Sequence, residues 1–227
     1  MERSEKELLR VELHCHSQYS KDSNLSFENM VRALRRAKVD VVALTDHNTI
    51  AGALKLREMA PAGLQVIVGE EITTAEGDLV GIFLKEPIPA RLALEETIRR
   101  IHEQGGLAIV PHPFDRLRHE AMGGENLKRV MREVDFVEVF NARCVFPGDN
   151  RAAERFVREH GLHGSVASDA HWMMEHGNAN VLMAPFTDAP TFAENLRHAR
   201  FETKLATPLV HAGTAVVKRV KKLRKST

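Results

Sequence analysis

The sequence predicts an α/β fold in which a parallel sheet closes, or nearly closes, into a barrel. Short apolar, β-branched segments alternate with segments of helical periodicity, which is typical of parallel strands joined by helices. No Gly-x-Gly-x-x-Gly or Walker turn follows the first strand, which argues against a nucleotide-binding doubly wound sheet. The chain of 227 residues, with 43% hydrophobic content, is long enough for one large core. A single barrel domain is therefore expected.

The individual elements follow from local patterns along the chain. Apolar runs bounded by polar or turn residues predict strands at residues 11–15, 39–45, 64–73, 78–84, 106–112, 135–141 and 163–169. Helical periodicity predicts helices at about residues 26–38, 49–60, 92–104, 125–133, 150–160 and 189–199. The turn at residues 75–78, with sequence AEGD, predicts that the fourth strand pairs with the third. No repeat or long linker interrupts the pattern, so we expect a barrel domain over residues 1–211.

Composition excludes several classes of protein. Lys and Arg number 32 against 31 Asp and Glu, so the net charge of +1 gives no global attraction to nucleic acid or to anionic membranes. No run approaches 18 apolar residues, and the amino terminus is charged where a signal peptide would be apolar. The two cysteines, Cys15 and Cys144, fit a reducing compartment. We therefore expect a cytoplasmic protein with no membrane partner.

One segment departs from this neutral balance. Residues 212–227 are expected to form a basic helix or tail, and VVKRVKKLRKST, residues 216–227, is its strongly basic part. A solvated helix end is the favoured interpretation. The alternative is contact with nucleic acid or acidic lipid, which should weaken steeply with salt.

The predicted strands end in residues that bind metals. His14 and His16 end the first strand, and their spacing directs both side chains to the same face. Chance alone would give about 0.6 His-x-His pairs in a chain of this length with 12 histidines, so this pair is not diagnostic by itself. The chemistry of α/β barrels gathers at the carboxyl ends of their strands. The other predicted strand ends carry His47, Glu70, Glu71, His112, Asn141, Asp169 and His171.

These donors indicate a catalytic site. Imidazole and carboxylate groups without a thiolate cluster suit Zn²⁺, Mn²⁺ or Fe²⁺ in a catalytic centre and do not suit a structural zinc site. Asp46, beside His47, is expected to cap the next helix or to orient that imidazole.

Six strings along the chain resemble the motifs of one known family. LHCHSQYSKDS, ALTDHNT, GEEITT, VPHPFDR, FNAR and SDAH are similar, in order and context, to the motifs of the PHP (polymerase and histidinol phosphatase) metal-dependent phosphoesterases. The resemblance covers residues 11–171. It implies a distorted (β/α)7 TIM-like barrel, formed by a single domain, that holds two or three divalent metal ions. It also implies hydrolysis of phosphate esters.

The resemblance assigns ligands residue by residue. His14, His16 and Asp169 resemble the ligands of one ion, and Glu71, favoured over Glu70, would bridge it to a second ion held by His112. Asp22, His47 and His171 resemble the ligands of a third ion. Many members have a further histidine for the second ion, and here the comparable positions offer Asp78 or Asn141.

The expected activity is hydrolysis of a small phosphomonoester or nucleotide phosphate by a hydroxide that bridges two ions. Asp169 is expected to accept a proton from the attacking water, and His47 or His171 to protonate the leaving oxygen if not bound to metal. Arg116 and Arg143 are the expected phosphate-binding residues, with Arg118 a weaker candidate. The alternatives are a nuclease acting on single-stranded nucleic acid, with nucleic acid not favoured as a partner, and a non-catalytic RNA-binding subunit.

Overall fold

Nine strands form one curved sheet with seven α-helices packed around it, in a computed structural model that describes residues 8–207 and 209–224. The strands are β1 (Leu9–Cys15), β2 (Val41–Leu44), β3 (Gln65–Thr73), β4 (Asp78–Ile82), β5 (Leu107–Val110), β6 (Phe136–Asn141), β7 (Gly164–Ala167), β8 (Ala179–Met183) and β9 (Arg200–Thr203). The helices are α1 (Phe27–Arg36), α2 (Ala51–Met59), α3 (Leu94–Glu103), α4 (Gly123–Val130), α5 (Pro147–His160), α6 (Ala189–Arg197) and α7 (Leu209–Arg224).

The sheet curls until its two parallel segments meet. The strand order is β7-β6-β5-β4-β3-β2-β1-β8-β9. Strands β1, β2 and β3 run parallel to one another, and so do β5, β6 and β7. Beyond the end of β7, Ala170 forms a parallel bridge with Cys15 of β1. The backbone N–H of Asp169 also donates to the carbonyl of His14 at 2.9 Å, and that of His16 donates to Ala170 at 2.8 Å. The predicted fold class, a TIM-like barrel in a single α/β domain, is confirmed.

The antiparallel strands mark where the barrel departs from a regular one. β4 pairs antiparallel with β3, as the AEGD turn predicts, and also with β5. The prediction missed β8 and β9, which extend the sheet antiparallel beyond β1. β8 is a five-residue run and β9 is a partly exposed edge strand with one apolar residue, Phe201, so neither has a strong periodic signal.

The ends of the chain are described in part. Helix α7 begins at Leu209, and residues 1–7, 208 and 225–227 lie outside the described part, including the end of the predicted basic segment. The division into a barrel over residues 1–211 and a basic segment over 212–227 stays a prediction. No helix among the described residues is long and apolar enough to cross a membrane.

Two hydrophobic clusters pack on opposite faces of the sheet. One joins alternate strand residues, such as Val42 and Leu44 of β2, to buried side chains of α1, α2 and α3. The other joins their neighbours, such as Val41 and Ala43, to Phe192 of α6. This alternation follows from the period of two along a strand. It leaves the carboxyl ends of the strands free to present polar side chains at one rim.

Replacing Phe192 with alanine is expected to lower the free energy of unfolding by about 3 to 5 kcal/mol, because it leaves a cavity in the core. Phe192 is fully buried, and its ring centroid lies 5.2 Å from that of Phe83 and 4.9 Å from that of Phe186. Denaturant unfolding measures the effect. Met59→Ala, at a site 51% exposed, is the control and should cost about 0.5 kcal/mol or less. Equal losses in the two variants would contradict this packing.

Candidate metal centre

The carboxyl ends of five strands bring all eight predicted ligands together. Their side chains expose at most a tenth of their surface, although all eight are ionisable groups. They are His14, His16, Asp22, His47, Glu71, His112, Asp169 and His171.

Glu71 lies at the middle of this group. Its Oε2 atom is 3.4 Å from His14 Nε2, 3.3 Å from His16 Nε2 and 3.0 Å from His47 Nδ1. Its Oε1 atom is 3.1 Å from His112 Nε2. One carboxylate therefore faces four imidazoles, and its two oxygens face different ones. This geometry suits a carboxylate shared between two cations, which is the role that the resemblance gives to Glu71.

A first group of donors consists of His14, His16 and Asp169. The Nε2 atoms of the two histidines are 3.1 Å apart, so their imidazoles converge as the i, i+2 spacing predicts. Asp169 Oδ1 lies 3.3 Å from His16 Nε2 and 3.9 Å from His14 Nε2. The three donor atoms are within reach of a single ion.

A second group consists of Glu71, Asp78 and His112, whose donor atoms lie within 4.8 Å of one another. Of the two alternatives for the remaining ligand, the structure places Asp78 in this group. The Asn141 amide instead donates to Glu138 Oε2 at 2.9 Å and to Asp169 Oδ2 at 3.3 Å. Asn141 is thus occupied in orienting other carboxylates.

A third group surrounds Asp22. Its Oδ2 atom lies 3.2 Å from His47 Nε2, and its Oδ1 atom lies 3.4 Å from His171 Nε2. His16 stacks against His47 with ring centroids 4.6 Å apart, so the third group adjoins the first. The three groups form one continuous centre.

The donor atoms fit divalent cations. Several of them are buried and have no hydrogen-bond partner within the described residues, namely Asp22 Oδ1, His47 Nδ1, Glu71 Oε2, Asp78 Oδ1 and Asp169 Oδ1. Burying ionised carboxylates without compensation is costly, and bound cations would supply the compensation. Nitrogen and oxygen donors without thiolate match Zn²⁺, Mn²⁺ or Fe²⁺.

Mutual electrostatics shape the ionisation of the centre. Burial opposes ionisation of Glu71, but His47 and His14 outweigh it and hold the pKa of Glu71 well below its usual range. Burial likewise opposes ionisation of Asp169, yet Arg118 and His14 keep its pKa well below its usual range. Burial and the neighbouring His171 lower the pKa of His16 to about 3. A neutral His16 and an ionised Glu71 and Asp169 are protonation states that bind metal. Although burial opposes it, Glu71 raises the pKa of both His14 and His47, so metal binding at these imidazoles would release protons.

Two of the predicted ligands have unusual backbone conformations. His112 has φ of 31° and Asp169 has φ of 52°, in the left-handed region that non-glycine residues rarely occupy. Such conformations persist only where the surroundings enforce them, and they cluster at functional sites. Here each one turns a side chain inward just beyond the end of a strand.

Glu138 is a supporting residue that sequence reasoning missed. Its Oε1 atom lies 2.8 Å from His14 Nδ1, and its Oε2 atom accepts from the backbone N–H of His112 at 2.9 Å. A carboxylate on the outer nitrogen of a ligand imidazole fixes its orientation and raises its basicity. The signal was available, because Glu138 is the one charged residue in the apolar strand FVEVFN.

Asp46 acts through serines and does not cap a helix. It accepts hydrogen bonds from the Ser17 backbone N–H at 2.7 Å and from Ser20 Oγ at 2.8 Å. Ser20 Oγ in turn lies 3.0 Å from His16 Nδ1 and accepts from the His47 backbone N–H. Asp46 therefore orients His16, and not the His47 imidazole as the sequence suggested.

Another buried pair fastens the loop that carries His171. Glu12 Oε1 lies 2.7 Å from His176 Nδ1, and Glu12 Oε2 accepts from the Gly177 backbone N–H at 2.8 Å. Since Glu12 belongs to β1, the same strand that ends in two predicted ligands also fixes the loop of a third.

The arginines are arranged differently from the prediction. Arg116 does not reach the centre: its guanidinium donates to Asp149 Oδ1, and its side chain is 62% exposed. Arg143 lies beside the centre, but its Nη2 donates to Thr214 Oγ1 at 2.8 Å and its Nε is 3.3 Å from Glu175 Oε1. Arg118, the weaker candidate, donates through Nη2 directly to Asp169 Oδ2.

The inward direction of the Arg118 side chain has a local cause. Asp115 Oδ1 accepts from the Leu117 backbone N–H and Asp115 Oδ2 accepts from Arg118 Nε, so this short turn directs Arg118 inward. A spacing argument that places arginines at a rim cannot detect a turn of this kind.

A cleft of about 360 Å³ opens onto the centre. Asp22, His47 and His171 line it from among the predicted ligands, together with Asp78. Its cationic lining consists of Lys21, Arg118, Arg143 and Lys218, and the carboxylates Asp115 and Glu120 also line it. The cleft therefore places four cationic side chains beside the carboxylates and imidazoles of the centre, where they can contact an anionic ligand.

Comparison with known proteins agrees with this geometry. The model of the PHP domain matches residues 12–152, more than half of the chain, and that of a PHP-associated region matches residues 147–201. The chain belongs to the PHP domain family. The matched segments include all eight predicted ligands.

Relatives of this PHP domain extend over different shares of the chain. One uncharacterized protein of Methanocaldococcus jannaschii is 39% identical over 145 residues, which cover 59% of this chain and 82% of that protein. A second uncharacterized protein of the same organism is 36% identical over 176 residues, which cover 76% of this chain and 70% of that protein. A 5'-3' exoribonuclease of Haemophilus influenzae is 32% identical over 127 residues, 50% of this chain and 46% of that protein.

Solved structures share the fold at low identity. PsfC from Pseudomonas syringae aligns with a TM-score of 0.70 at 16% identity, covering 94% of this chain and 98% of that one. A two-domain protein from Bacteroides vulgatus that contains a predicted PHP-like metal-dependent phosphoesterase aligns with a TM-score of 0.68 at 20% identity, covering 87% of this chain and 65% of that one.

Metal removal should destabilise the protein, because it leaves the buried carboxylates uncompensated. Protein purified without chelator is expected to contain divalent metal and to unfold at a lower temperature after chelation. Asp169→Asn should lower the metal content by about one equivalent per chain, measured by elemental analysis. Asp188→Asn, which changes an exposed helix-capping residue, is the control. Unchanged metal content in Asp169→Asn would remove this residue from the ligand set.

Proposed function

We propose that this PHP domain is a metal-dependent phosphoesterase that hydrolyses a phosphate ester bound in the cleft. The observation that carries the proposal is the convergence of three donor groups on Glu71 and His16 at the floor of a cation-lined cleft. When bound, divalent ions would lower the pKa of a water molecule and neutralise charge on the phosphoryl oxygens. The substrate class expected from the sequence is a small phosphomonoester or nucleotide phosphate.

Each donor group has a distinct role in the proposal. His14, His16 and Asp169 would hold one ion, and Asp78 and His112 would hold a second that shares Glu71. Glu138 keeps His14 in the orientation that presents Nε2 inward. Asp169 Oδ2 is engaged by Arg118 and Asn141, so Oδ1 is the oxygen of this carboxylate that would face the ion and accept a proton from the attacking water.

The third group faces the substrate. Asp22, His47 and His171 line the cleft, so in this proposal they would face the leaving-group oxygen. They would hold a third ion. If only two ions bind, Asp22 would orient the imidazoles of His47 and His171, either of which could then pass a proton to the leaving oxygen.

Arg118 is the strongest candidate for binding the phosphate. It lies 21% exposed beside Asp169, at the boundary between the centre and the cleft. A guanidinium in this position can hold one phosphate oxygen while it keeps Asp169 ionised. Arg143 lines the same cleft but is held by Glu175 and Thr214, so we give it a supporting role.

Two alternatives remain as candidates. A nuclease would use the same centre, and the name of the exoribonuclease relative favours it. A non-catalytic RNA-binding subunit is disfavoured, because several buried donor atoms of this centre have no hydrogen-bond partner within the described residues, and a protein with no need of metal would have nothing to offset their desolvation.

Hydrolysis assays with and without metal test the proposal. The Mn²⁺- or Zn²⁺-loaded chain should hydrolyse a nitrophenyl phosphate monoester, a bis-nitrophenyl diester or a single-stranded oligonucleotide, and chelation should abolish the activity. His16→Ala, which removes a group at the junction of two donor sets, should reduce kcat by at least about 100-fold on the preferred substrate. The absence of activity on all three substrates in the metal-loaded wild type would overturn the proposal.

Arginine variants test how the phosphate is bound. Arg118→Ala is expected to raise KM for the preferred substrate by about tenfold, because it removes a charged hydrogen-bond donor from the cleft. Arg116→Ala, whose guanidinium pairs with Asp149 outside the cleft, is the matched control and should change KM less than about twofold. Elemental analysis of both variants separates lost phosphate binding from lost metal. A larger effect in Arg116→Ala would restore the assignment made from the sequence.

A further inference from the structure

Helix α7 is fixed at the rim of the metal centre. It lies outside the segments that the family models match. Lys221 Nζ donates to the backbone carbonyls of Gln18 and Ser20 at 2.8 Å and of Ser23 at 2.5 Å, so it fastens the loop that carries Asp22. Thr214 Oγ1 accepts from Trp172 Nε1 at 3.2 Å, next to His171. The basic segment that the sequence singled out therefore borders the cleft.

A second cavity continues the cleft along α7. Its volume is about 510 Å³, and it shares Lys21 and Lys218 with the cleft over the metal centre. The residues lining it are Gln18, Tyr19, Ser20, Lys21, Lys218, Lys221 and Lys222. Within the described residues, every charged side chain in this lining is a lysine. We call these two adjoining cavities the lysine groove; the part over the metal centre is also lined by the carboxylates Asp22, Asp78, Asp115 and Glu120.

An aromatic ring lies in the same groove. Tyr19 is 44% exposed, and its ring stacks on Phe27 with centroids 5.6 Å apart and planes 15° apart. One face of the ring is thus supported by the core, since Phe27 is buried, and the side chain remains open to a ligand. Lysines that follow a backbone together with an aromatic platform for bases are the combination that binds single-stranded nucleic acid.

We propose that the lysine groove binds a single-stranded nucleic acid, with its scissile phosphate at the metal centre. Further phosphates would lie against Lys21 and Lys218, and a base would stack on Tyr19. This inference deepens the proposed function, on which its account of the scissile phosphate rests. It changes the favoured substrate from a small phosphate ester to a nucleic acid strand, because lysines are concentrated beside the site although the net charge of the whole chain is only +1.

The groove favours a strand over a membrane surface. An anionic bilayer attracts lysines through a broad surface and gains from exposed apolar side chains inserted beside them. Helix α7 does expose Val216 and Leu223, but Lys21 and Lys218 line a concave path that leads into the metal centre. A flexible polyanion can follow that path, and a bilayer cannot.

Binding can be measured without hydrolysis. Fluorescence anisotropy with a labelled single-stranded oligonucleotide of about ten nucleotides, on the full chain in chelator, should give an affinity that falls with salt. Lys21→Glu/Lys218→Glu should weaken binding by at least about tenfold and reduce the salt slope by about 1.4, the value expected for two phosphate contacts on a single strand. Lys85→Glu, an exposed lysine that lines neither cavity, is the matched control.

Tyr19 gives a test that does not depend on charge. Tyr19→Ala should weaken oligonucleotide binding by about five- to tenfold, while Tyr19→Phe should retain the affinity of the wild type. Thermal unfolding of each variant checks that the loop carrying Asp22 is intact. If the double lysine variant fails to fold, the Tyr19 pair and the single variant Lys218→Ala carry the test.

The loaded enzyme adds a second readout. In Lys218→Ala, the ratio of kcat/KM on the oligonucleotide to that on a nitrophenyl monoester should fall about fivefold or more, whereas a purely structural defect would lower both together. Unchanged oligonucleotide binding in the lysine and Tyr19 variants would overturn the inference, as would binding to phosphatidylserine vesicles without binding to the oligonucleotide. Salt-dependent binding lost in the variants, without hydrolysis of any ester, would support the groove and refute the proposed phosphoesterase.

Discussion

The structure depends on a single constraint: carboxylates and imidazoles buried at one rim must compensate one another or share cations. Glu71 is the focus of this constraint, because its two oxygens face four histidines from three different strand ends. A buried cluster of this kind contributes little to folding by itself, since the desolvation of each charge offsets much of the attraction. The barrel supplies the stability elsewhere, through two apolar clusters, and holds the rim in place.

Orientation at the rim comes from residues that do not contact the substrate. Glu138 fixes His14, Asp46 fixes His16 through Ser20, and Glu12 fixes the loop beyond His171. These carboxylates are buried in strands or directly beyond them, where a charge would otherwise be unfavourable. Burying each of these carboxylates lowers the stability of the fold, and in return each one keeps an imidazole in a single orientation.

Much of this arrangement could be predicted from the sequence. The alternation of apolar runs and helical segments located seven of the nine strands and the first six helices, and the donors at strand ends identified the rim. Side-chain contacts across the fold could not be predicted in this way. Arg116 and Arg118 are two positions apart, and only the turn at Asp115 decides which of them faces inward. Similarly, nothing in the sequence indicates that α7 folds back onto the loop at residues 18–23.

The meeting of β1 with the segment after β7 has a consequence for biosynthesis. The first predicted ligand is His14 and the last is His171, and both belong to the junction that closes the barrel. Because these contacts join distant parts of the chain, they cannot form until both parts have been synthesised. A ribosome must therefore release most of the polypeptide before the cation site exists, and a nascent fragment has no complete set of donors with which to capture a wrong ion.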